Sequence, residues 1–367
     1  MTIKYVFWND DTGYGISAKQ IIKGLLRAGI HVIAVGLEHH SKSEYQLPRD
    51  YNREGNYDIL ILHSAPYYIA RLIEPGKINI AYCTWETSVL PLQWVNVLNQ
   101  CQAIFVPSTF NKQCFETSGI TVPVRLLPHI SEFSGMTSSS SLPDHPDSCF
   151  TFYTIGMWTN RKNNLDLMKA FRLAFTRDEA VRLIIKTSKK DYTRSAINIL
   201  RKLGYAYYHN LEHVINIQRL LKADHRIRII TESMTPDQIA SFHVHHDCYI
   251  SLCHSEGWGL GAYEAAWFGK PVIITGYGGQ LDFLPPEYAT LLPGHLVDIN
   301  EKVWTEYNTD GQQWSDVEMN AAIEAMRNVY YNQSEYKSRG LRLRDFVKDQ
   351  FNEKRILETF VHDLSQL

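Results

Sequence analysis

Short apolar runs alternate with amphipathic segments along most of the chain. The runs predicted as buried strands of the first part are Ile3–Trp8, His31–Gly36, Ile59–His63, Ile78–Tyr82, Ala103–Pro107 and Val124–Pro128. Those of the second part are Phe150–Met157, Val181–Thr187, Ile227–Ile230, Tyr249–Cys253 and Pro271–Thr275. Helical periodicity lies between them, for example in Ile16–Ala28. Strands that alternate with helices predict an α/β protein with parallel sheets.

A polar stretch divides the chain. Residues 131–148 are poor in apolar side chains and rich in serine, proline and aspartate, which is typical of a linker. The length of 367 residues accommodates two domains with one core each. We therefore expect a first domain at 1–130, a linker at 131–149, a second domain at 150–340 and a final helix within 341–367. Asp316–Tyr331 and Leu341–Leu364 have the periodicity of amphipathic helices.

Composition excludes several classes of partner. The net charge is −2 and neither half of the chain is basic, so nucleic acid is not an expected partner and membrane association is at most weak and peripheral. The six cysteines show no spacing typical of a metal or redox pair, which indicates free thiols in a reducing compartment. The chain begins with a predicted strand and has no long apolar run, so we expect a cytoplasmic protein, with peripheral location at the inner face of a membrane as the alternative.

The segment Tyr249–Gly279 is the most informative part of the sequence. It predicts a strand, a loop with Gly257, Gly259 and Gly261, a short helix and a second strand. The loop amides and the helix N-terminus are suited to phosphate, and the glycines allow close approach of a ligand. Glu256 and Glu264 are acceptors for vicinal hydroxyls, so the segment predicts a nucleotide-sugar site, with Glu256 toward the sugar and Glu264 toward the ribose. The alternative is a carboxylate that caps its own helix, with Glu264 solvated.

A second glycine pattern lies near the N-terminus. Gly13, Gly15 and Ala18 match the G-x-G-x-x-A pattern of dinucleotide sites, and Glu38 lies near the distance expected for a ribose-binding acid. A nicotinamide-dependent oxidoreductase is therefore one alternative, although residues 9–12 separate the predicted strand from Gly13. A plain strand-to-helix turn is another.

The stretch SEGWGLGAYEAAWFG at Ser255–Gly269, followed by KPVIIT and GYGGQLDFL, resembles the retaining glycosyltransferases of family 4, within the glycosyl transferases group 1. The resemblance extends to Val106–His129 and Gly156–Phe171. It implies the GT-B fold: two Rossmann-like domains that face a central cleft, with the last helix crossing back to the first domain. It also implies that Ser108 caps a helix.

The same resemblance assigns roles to individual residues. It implies that Arg161 and Lys162 neutralise the leaving diphosphate, with Glu256 beside the transferred sugar. The donor-binding residues that it implies are Gly13, Gly15, Ser233, Met234, Gly257, Gly259, Leu260, Gly261 and Glu264. Gly13 and Gly15 would form a loop over the diphosphate, and Ser233 and Met234 would contact the base.

The sequence departs from the family pattern at two places. Many relatives carry a histidine that contacts the sugar where this chain has Trp85 and Glu86. Trp85 is a candidate for stacking on a sugar and Glu86 for orienting an acceptor hydroxyl, or the two are a packed aromatic and a surface acid. Met157 replaces a common arginine, and Arg161 is a candidate for compensating its loss.

The resulting expectation is a retaining hexosyltransferase of polysaccharide biosynthesis without a cofactor. It would move a sugar from a UDP- or GDP-sugar to a glycan or glycolipid hydroxyl. No Asp-x-Asp triplet occurs, so we expect no metal. His209 with His213, and the group His243, His245 and His246, resemble metal ligands in type, but their spacing favours structural roles. A sugar-nucleotide epimerase of the same fold and a non-catalytic nucleotide-sugar-binding protein remain alternatives.

Overall fold

The structure is a computed structural model that describes residues 1–37, 55–134, 149–188, 217–299 and 311–367. In these residues it contains two six-stranded sheets, each with parallel neighbours, and a separate β-hairpin. The strands of the first sheet are β1 Thr2–Phe7, β2 His31–Gly36, β3 Ile59–His63, β4 Ile78–Tyr82, β5 Ala103–Val106 and β6 Val124–Leu126. Those of the second sheet are β7 Phe150–Ile155, β8 Val181–Lys186, β9 Ile227–Ile230, β10 Cys248–Ser251, β11 Val272–Thr275 and β12 Thr290–Leu292. The hairpin pairs β13 Gly294–Asp298 with β14 Gln313–Val317.

Helices connect and cover the sheets. Those of the first part are α1 Gly13–Arg27, α2 Pro66–Ile69, α3 Leu92–Leu98 and α4 Thr109–Thr117. Those of the second part are α5 Asn164–Ala174, α6 Pro236–His245, α7 Leu260–Trp267, α8 Met319–Tyr331, α9 Gln333–Gln350 and α10 Glu353–Ser365. Two 3₁₀ turns, Asn160–Lys162 and Gly279–Asp282, lie at the ends of strands β7 and β11.

Local sequence signals explain where several helices begin and end. The Ser108 hydroxyl accepts a hydrogen bond from the Asn111 amide and caps α4, as expected. Thr235 and Gln238 form a reciprocal capping box at the start of α6. Gly269 follows α7 with a φ of +72°, a left-handed conformation that glycine adopts without strain and that ends the helix.

The order of strands in the second sheet places a crevice at its centre. The order is β12-β11-β10-β7-β8-β9, and the chain proceeds from β10 and from β7 in opposite directions. Ligands of open α/β sheets bind beyond the carboxyl ends of the strands at such a switch point. The glycine loop follows β10 and the Asn160–Lys162 turn follows β7, so both lie at this crevice.

The first sheet presents its own carboxyl edge. Its order is β2-β1-β3-β4-β5-β6, and Phe7, His63 and Tyr82 are partners across three neighbouring strands. The residues that follow these strands therefore share one edge, about 4.8 Å apart from strand to strand.

The C-terminal region differs from the expectation in two details. The predicted helix Asp316–Tyr331 begins at Met319 instead, because Asp316 and Val317 belong to β14 and pair with β13. The predicted helix Leu341–Leu364 is two helices, and Asn352 caps the second by accepting a hydrogen bond of 2.9 Å from the Arg355 amide.

The return of the chain to the first domain is confirmed. Leu343 and Val347 of α9 are buried in the core of the second sheet. Leu357 and Phe360 of α10 are buried in the core of the first. Two α/β sheets, flanking helices and a crossing C-terminal helix thus agree with the expected fold class. The domain boundaries at 130, 149 and 340 stay predictions, and most of the linker lies outside the described residues.

Candidate active site

The glycine loop before α7 contacts the first domain. The Ser108 hydroxyl donates to the Gly257 carbonyl at 2.8 Å, and a Cβ on Gly257 would lie 2.0 Å from Cγ2 of Thr84. The Thr109 amide donates to the Asp282 carboxylate at 2.8 Å nearby. Gly257 therefore lets the carboxyl edges of the two sheets meet closely, a role in addition to any ligand approach.

The other glycines of the loop fit the packing of α7. Gly259 precedes the helix with a φ of +93°. A Cβ on Gly261 would lie 2.9 Å from the Ile155 carbonyl oxygen, so this glycine allows α7 to approach β7. Leu260 is the first residue of α7. The N-terminus of α7, with its unpaired amides, thus lies beside the end of β7.

Arg161, Lys162 and Glu256 form one charged cluster, as the sequence predicts for a shared crevice. Glu256 is 7% exposed and contacts the Lys162 ammonium; its Oε2 lies 3.0 Å from Arg161 Nη1. Arg161 also donates to the Ser255 carbonyl at 2.6 Å. Across the cleft, Glu86 Oε1 lies 3.3 Å from Arg161 Nη2. Arg161 therefore bridges acids from both domains.

The environment fixes the protonation state of Glu256. Burial by itself raises the pKa of this carboxyl, but the positive charges of Lys162 and Arg161 outweigh it and lower the pKa to about 2. Glu256 is therefore a carboxylate at neutral pH. It accepts hydrogen bonds there and holds no proton to give to a leaving group.

A tight turn orients the two cations. The Thr159 hydroxyl caps the Asn160–Lys162 turn, and Asn163, with a φ of +49°, adopts the left-handed conformation between this turn and α5. Asparagine tolerates that conformation better than most residues. The His254 amide donates to the Arg161 carbonyl at 2.8 Å, which ties the turn to the glycine loop.

Glu264 lies deeper, on the second turn of α7. It is 4% exposed, so the alternative of a solvated Glu264 does not hold. Its Oε2 lies 3.4 Å from His243 Nε2, and the other ring nitrogen of His243 lies 2.9 Å from the Tyr153 hydroxyl. Burial and neighbours on α6 and β7 hold the Glu264 side chain in a defined position. Its role toward a ribose stays a prediction.

Ser233 and Met234 lie between β9 and α6. They line a cavity of about 370 Å³ together with Gln238 and Phe242 of α6. The same helix carries His243, the neighbour of Glu264. This position suits a base or ribose beside the second sheet, and the contact of Ser233 and Met234 with a base stays a prediction.

Gly13 and Gly15 differ from the expected loop in local structure. Both belong to the first turn of α1, which begins at Gly13 after residues 8–12. A Cβ on Gly15 would lie 2.2 Å from the Asp10 carbonyl oxygen, whereas nothing lies within 4 Å of a Cβ on Gly13. The Tyr14 hydroxyl accepts from the Thr84 amide at 2.9 Å, so this helix end lies at the edge that carries Glu86. Glu38 lies outside the described residues.

Trp85 corrects the sugar-stacking expectation. It is 3% exposed, its ring packs against Trp94 at a centroid distance of 4.5 Å, and its indole nitrogen donates to the Val89 carbonyl at 2.8 Å. The indole belongs to the core of the first sheet because a large aromatic gains more from full burial than from exposure at a cleft. Trp85 therefore anchors the segment that presents Glu86.

Asn111 is a residue that sequence reasoning missed. It is fully buried on α4; its side chain accepts from the Trp85 amide at 2.9 Å and donates to the Trp85 carbonyl at 2.7 Å. This double contact fixes the backbone next to Glu86. An asparagine three residues after the Ser108 cap was the available signal, but its burial and its partner, which is distant in sequence, cannot be read from that position.

The histidines show structural contacts. His63 hydrogen-bonds to Tyr5 and Ser17 in the first core, and His245 lies on α6, where its Nδ1 is 2.7 Å from the Ser241 carbonyl oxygen. In the residues that the structure describes, no group of three acidic, histidine or cysteine side chains has a geometry suited to a metal ion. His209 and His213 lie outside them. Within the same ranges, no helix is both long and apolar enough to span a bilayer.

Comparison with known proteins gives this geometry a family context. Residues 144–302 match the family model of glycosyl transferases group 1. The matched region contains the Asn160–Lys162 turn, the glycine loop and α7. No curated protein sequence matches the chain.

Solved structures show the fold. Sucrose-phosphate synthase from Thermosynechococcus elongatus is similar with a TM-score of 0.68 at 14% identity over 100% of this chain and 98% of that chain. Anabaena HepE, in complex with UDP and glucose, gives 0.66 at 14% identity over 100% of both chains. A mutant of TarM from S. aureus, in complex with fondaparinux, α-GlcNAc-glycerol and UDP, gives 0.58 at 13% identity over 83% of this chain and 54% of TarM, so the chain spans about half of that protein.

The fold is therefore GT-B. The family match on the second domain and this fold together support a glycosyltransferase that uses a nucleotide sugar.

Proposed function

We propose that the protein is a retaining, metal-independent glycosyltransferase of family 4 type that transfers a hexose from a UDP- or GDP-sugar to a hydroxyl of a glycan or glycolipid. The observation that carries this proposal is the cluster of Arg161, Lys162 and Glu256 at the N-terminus of α7, opposite Glu86. Polysaccharide biosynthesis in the cytoplasm is the setting that we propose for it.

The positive side chains suit a diphosphate leaving group. When the bond between the anomeric carbon and the diphosphate breaks, negative charge grows on the departing nucleoside diphosphate. Lys162 and Arg161, with the amides at the start of α7, would stabilise that charge in a site largely closed to water. In the structure, Glu256 and Glu86 balance the two cations. The donor's phosphates would take over part of that role on binding.

The carboxylates suit the hydroxyl groups of the donor. Glu256 is ionised, so it would accept hydrogen bonds from hydroxyls of the transferred sugar. Glu264 lies one to two turns along α7, where the ribose of a donor with its phosphates at the helix N-terminus would extend. UDP occurs in the complexes of HepE and TarM, which favours UDP as the nucleotide.

The first domain would supply the acceptor side. The anchored Trp85 and the contacts of Asn111 hold Glu86 at the cleft, where it would orient an acceptor hydroxyl and Arg161 together. In the net reaction, the acceptor oxygen forms the new bond to the anomeric carbon. The nucleoside diphosphate departs, and the hydroxyl proton leaves with it or to solvent.

Two measurements test the proposal. Thermal unfolding with UDP and with GDP should show a clear rise in Tm for one of them, because a ligand that binds only the folded state stabilises it. Equal shifts, or no shift, with all nucleoside diphosphates would contradict the donor site. The enzyme is then incubated, without acceptor, with a sugar donor that contains the nucleoside diphosphate identified by the rise in Tm. It should release this nucleoside diphosphate slowly, at the same rate with and without a chelator. Formation of an epimeric nucleotide sugar would instead show an epimerase.

The acceptor role of Glu86 has its own test. With a glycan acceptor in hand, Glu86→Gln should raise the acceptor KM, whereas the affinity for the nucleotide should not fall, because the Glu86 carboxylate competes with the donor phosphates for Arg161. Glu86→Asp should restore part of the effect. An unchanged acceptor KM would remove Glu86 from the acceptor side.

A further inference from the structure

A cavity in the described part of the chain lies away from the glycine loop. Its volume is about 460 Å³, it is open to solvent on one side, and it is lined by residues of α1, the segment after β6, the end of α7 and the corner between α9 and α10. Trp267, the last residue of α7, lines it. Since a helix rises 1.5 Å per residue, the cavity lies roughly 10 Å from the helix N-terminus that faces the candidate active site. It lies between the two domains, and its lining carboxylate Glu132 is near enough to Glu264 for the two charges to interact.

Charged side chains from both domains line this cavity, and most are paired. Lys23 Nζ lies 3.2 Å from Glu132 Oε1. Arg27 donates two hydrogen bonds of 2.7 Å to Glu353. Lys348 stands over the Trp267 ring, with Nζ 5.4 Å from the ring centroid. With three cations against two carboxylates, the lining has an excess of one positive charge.

Two polar atoms of the lining residues lack partners. Gln20 is 3% exposed, and its amide nitrogen has no hydrogen-bond partner. Oxygen Oε2 of Glu132 is also buried without one. Burial raises the pKa of Glu132 against the opposing effect of Lys23, and the charge of Glu264 adds to the rise. A buried donor and a buried acceptor without partners are costly unless a ligand or water satisfies them.

We propose that this cavity binds an anionic monosaccharide, a sugar that carries a phosphate or a carboxylate. A hydroxyl group both donates and accepts, so sugar hydroxyls satisfy Glu132 Oε2 and the Gln20 amide together. The anionic group pairs with Lys348, the cation in excess. The volume is within the range of about 300–1,000 Å³ that is typical of small-molecule sites. This inference does not depend on the proposed function.

Calorimetric titration of the full chain tests the proposal. The probes are glucose 6-phosphate, glucuronate, glucose and inorganic phosphate, each titrated with UDP present at saturation so that the candidate donor site is occupied. At least one of the two anionic sugars should bind about tenfold more tightly than glucose and than inorganic phosphate, because it uses both hydroxyl and charge contacts. A separate titration with UDP alone reports on the donor site, so the two proposals can fail independently.

Variants locate the binding. Gln20→Leu and Lys348→Met should each lower the affinity for the anionic sugar by about five- to tenfold, since each variant removes one contact to the ligand. Lys348 is partly exposed, so we expect Lys348→Met to fold normally. This variant therefore tests the proposal even if Gln20→Leu fails to fold. The matched control is Lys354→Met on α10, whose side chain is 84% exposed and outside the cavity. UDP affinity should stay unchanged in all three.

Four outcomes would overturn the proposal. They are no binding of either anionic sugar, binding of glucose as tight as that of the anionic sugars, binding of inorganic phosphate equally tight, and equal affinity of the wild type and the Lys348→Met variant. Equally tight binding of glucose would show that the sugar ring alone is recognised. Equally tight binding of inorganic phosphate would show that the negative charge alone is recognised.

Discussion

Two parts of the molecule share one plan of strand, glycines and helix, and they use the glycines differently. After β10, the loop with Gly257 and Gly259 precedes α7 and holds Glu256 against Arg161 and Lys162. After β1, Gly13 and Gly15 lie inside the first turn of α1. There Gly15 makes room for the Asp10 carbonyl, which also accepts a hydrogen bond from Lys19 at 2.7 Å.

The difference shows that a glycine spacing by itself does not define a phosphate site. In the β10–α7 unit, the glycines bring the loop to the other domain, and charged partners come from a neighbouring strand end. In the β1–α1 unit, they shape the turn of the helix on itself. The predictions below test this contrast, beginning with the largest expected effect.

Loss of Lys162 should have the largest effect on activity. In Lys162→Met we expect turnover to fall by about 10²–10³-fold, because one fixed positive charge is lost where the leaving diphosphate gains charge. The turnover is measured by steady-state kinetics with a sugar donor that contains the nucleotide identified by thermal unfolding. The control is Lys169→Met on α5, whose side chain is 44% exposed and pairs with Asp166. If both variants keep wild-type turnover, the charged cluster is not the reacting centre.

Substitution of Gly257 tests the contact between the domains. A Cβ at this position would lie 2.0 Å from Thr84 Cγ2, so Gly257→Ala should destabilise the closed arrangement by about 1–3 kcal/mol and lower activity. Urea unfolding and donor turnover are the measurements. The double variant Gly257→Ala with Thr84→Ser removes the clashing methyl group and should recover part of the loss, since the Trp85 carbonyl oxygen would still lie 3.1 Å from the Cβ. A single variant as stable and active as the wild type would show that the domains do not meet here in solution.

The sequence was most informative where the signals are local. Ser108 and Thr235 cap helices through contacts within three residues, so their helix starts were predictable. The family resemblance implied that Lys162 and Glu256 share one site, and their nearness agrees with the rule that strand ends of a parallel sheet share one edge. These signals sufficed for the two-sheet architecture and for the charged cluster.

Long-range partners account for what was missed. The apolar periodicity from Asp316 onward predicts a helix. Asp316 instead lies in strand β14, because it pairs with His295 of β13. The apolar periodicity continues across residue 352, yet α9 and α10 pack on different sheets, so the chain turns between them. Trp85 and Asn111 contact each other across 26 positions, and no local pattern indicates that pairing. In each case tertiary packing decided the local structure.

The pH dependence of stability should distinguish the charged cluster from ordinary surface acids. The pKa of Glu256 is lowered from 4.5 to about 2, so its contribution is complete above pH 4.5 and is lost as the pH falls toward 2. This contribution is on the order of 3 kcal/mol, at about 1.4 kcal/mol for each pKa unit. Glu256→Gln should therefore be less stable than the wild type at pH 7, with the difference shrinking between pH 4.5 and pH 2.

Urea unfolding at several pH values measures that difference. Glu358→Gln is the control, because Glu358 is 67% exposed on α10 and should show little change relative to the wild type at any of them. A difference for Glu256→Gln that is independent of pH would contradict the ionised, doubly paired carboxylate.

The smallest effect is expected at Gly13, and it completes the contrast between the two units. A Cβ on Gly13 meets nothing within 4 Å, and its φ is not in the left-handed region, so Gly13→Ala should leave stability unchanged or raise it by up to about 1 kcal/mol. Gly15→Ala, two residues later, should destabilise the protein because its Cβ would lie 2.2 Å from the Asp10 carbonyl oxygen. Thermal unfolding of both variants, with and without UDP, separates a helix effect from a ligand effect. If Gly13→Ala keeps its stability but loses the UDP-dependent rise in Tm, the first turn of α1 touches the donor, and the two glycine units are more alike in function than in structure.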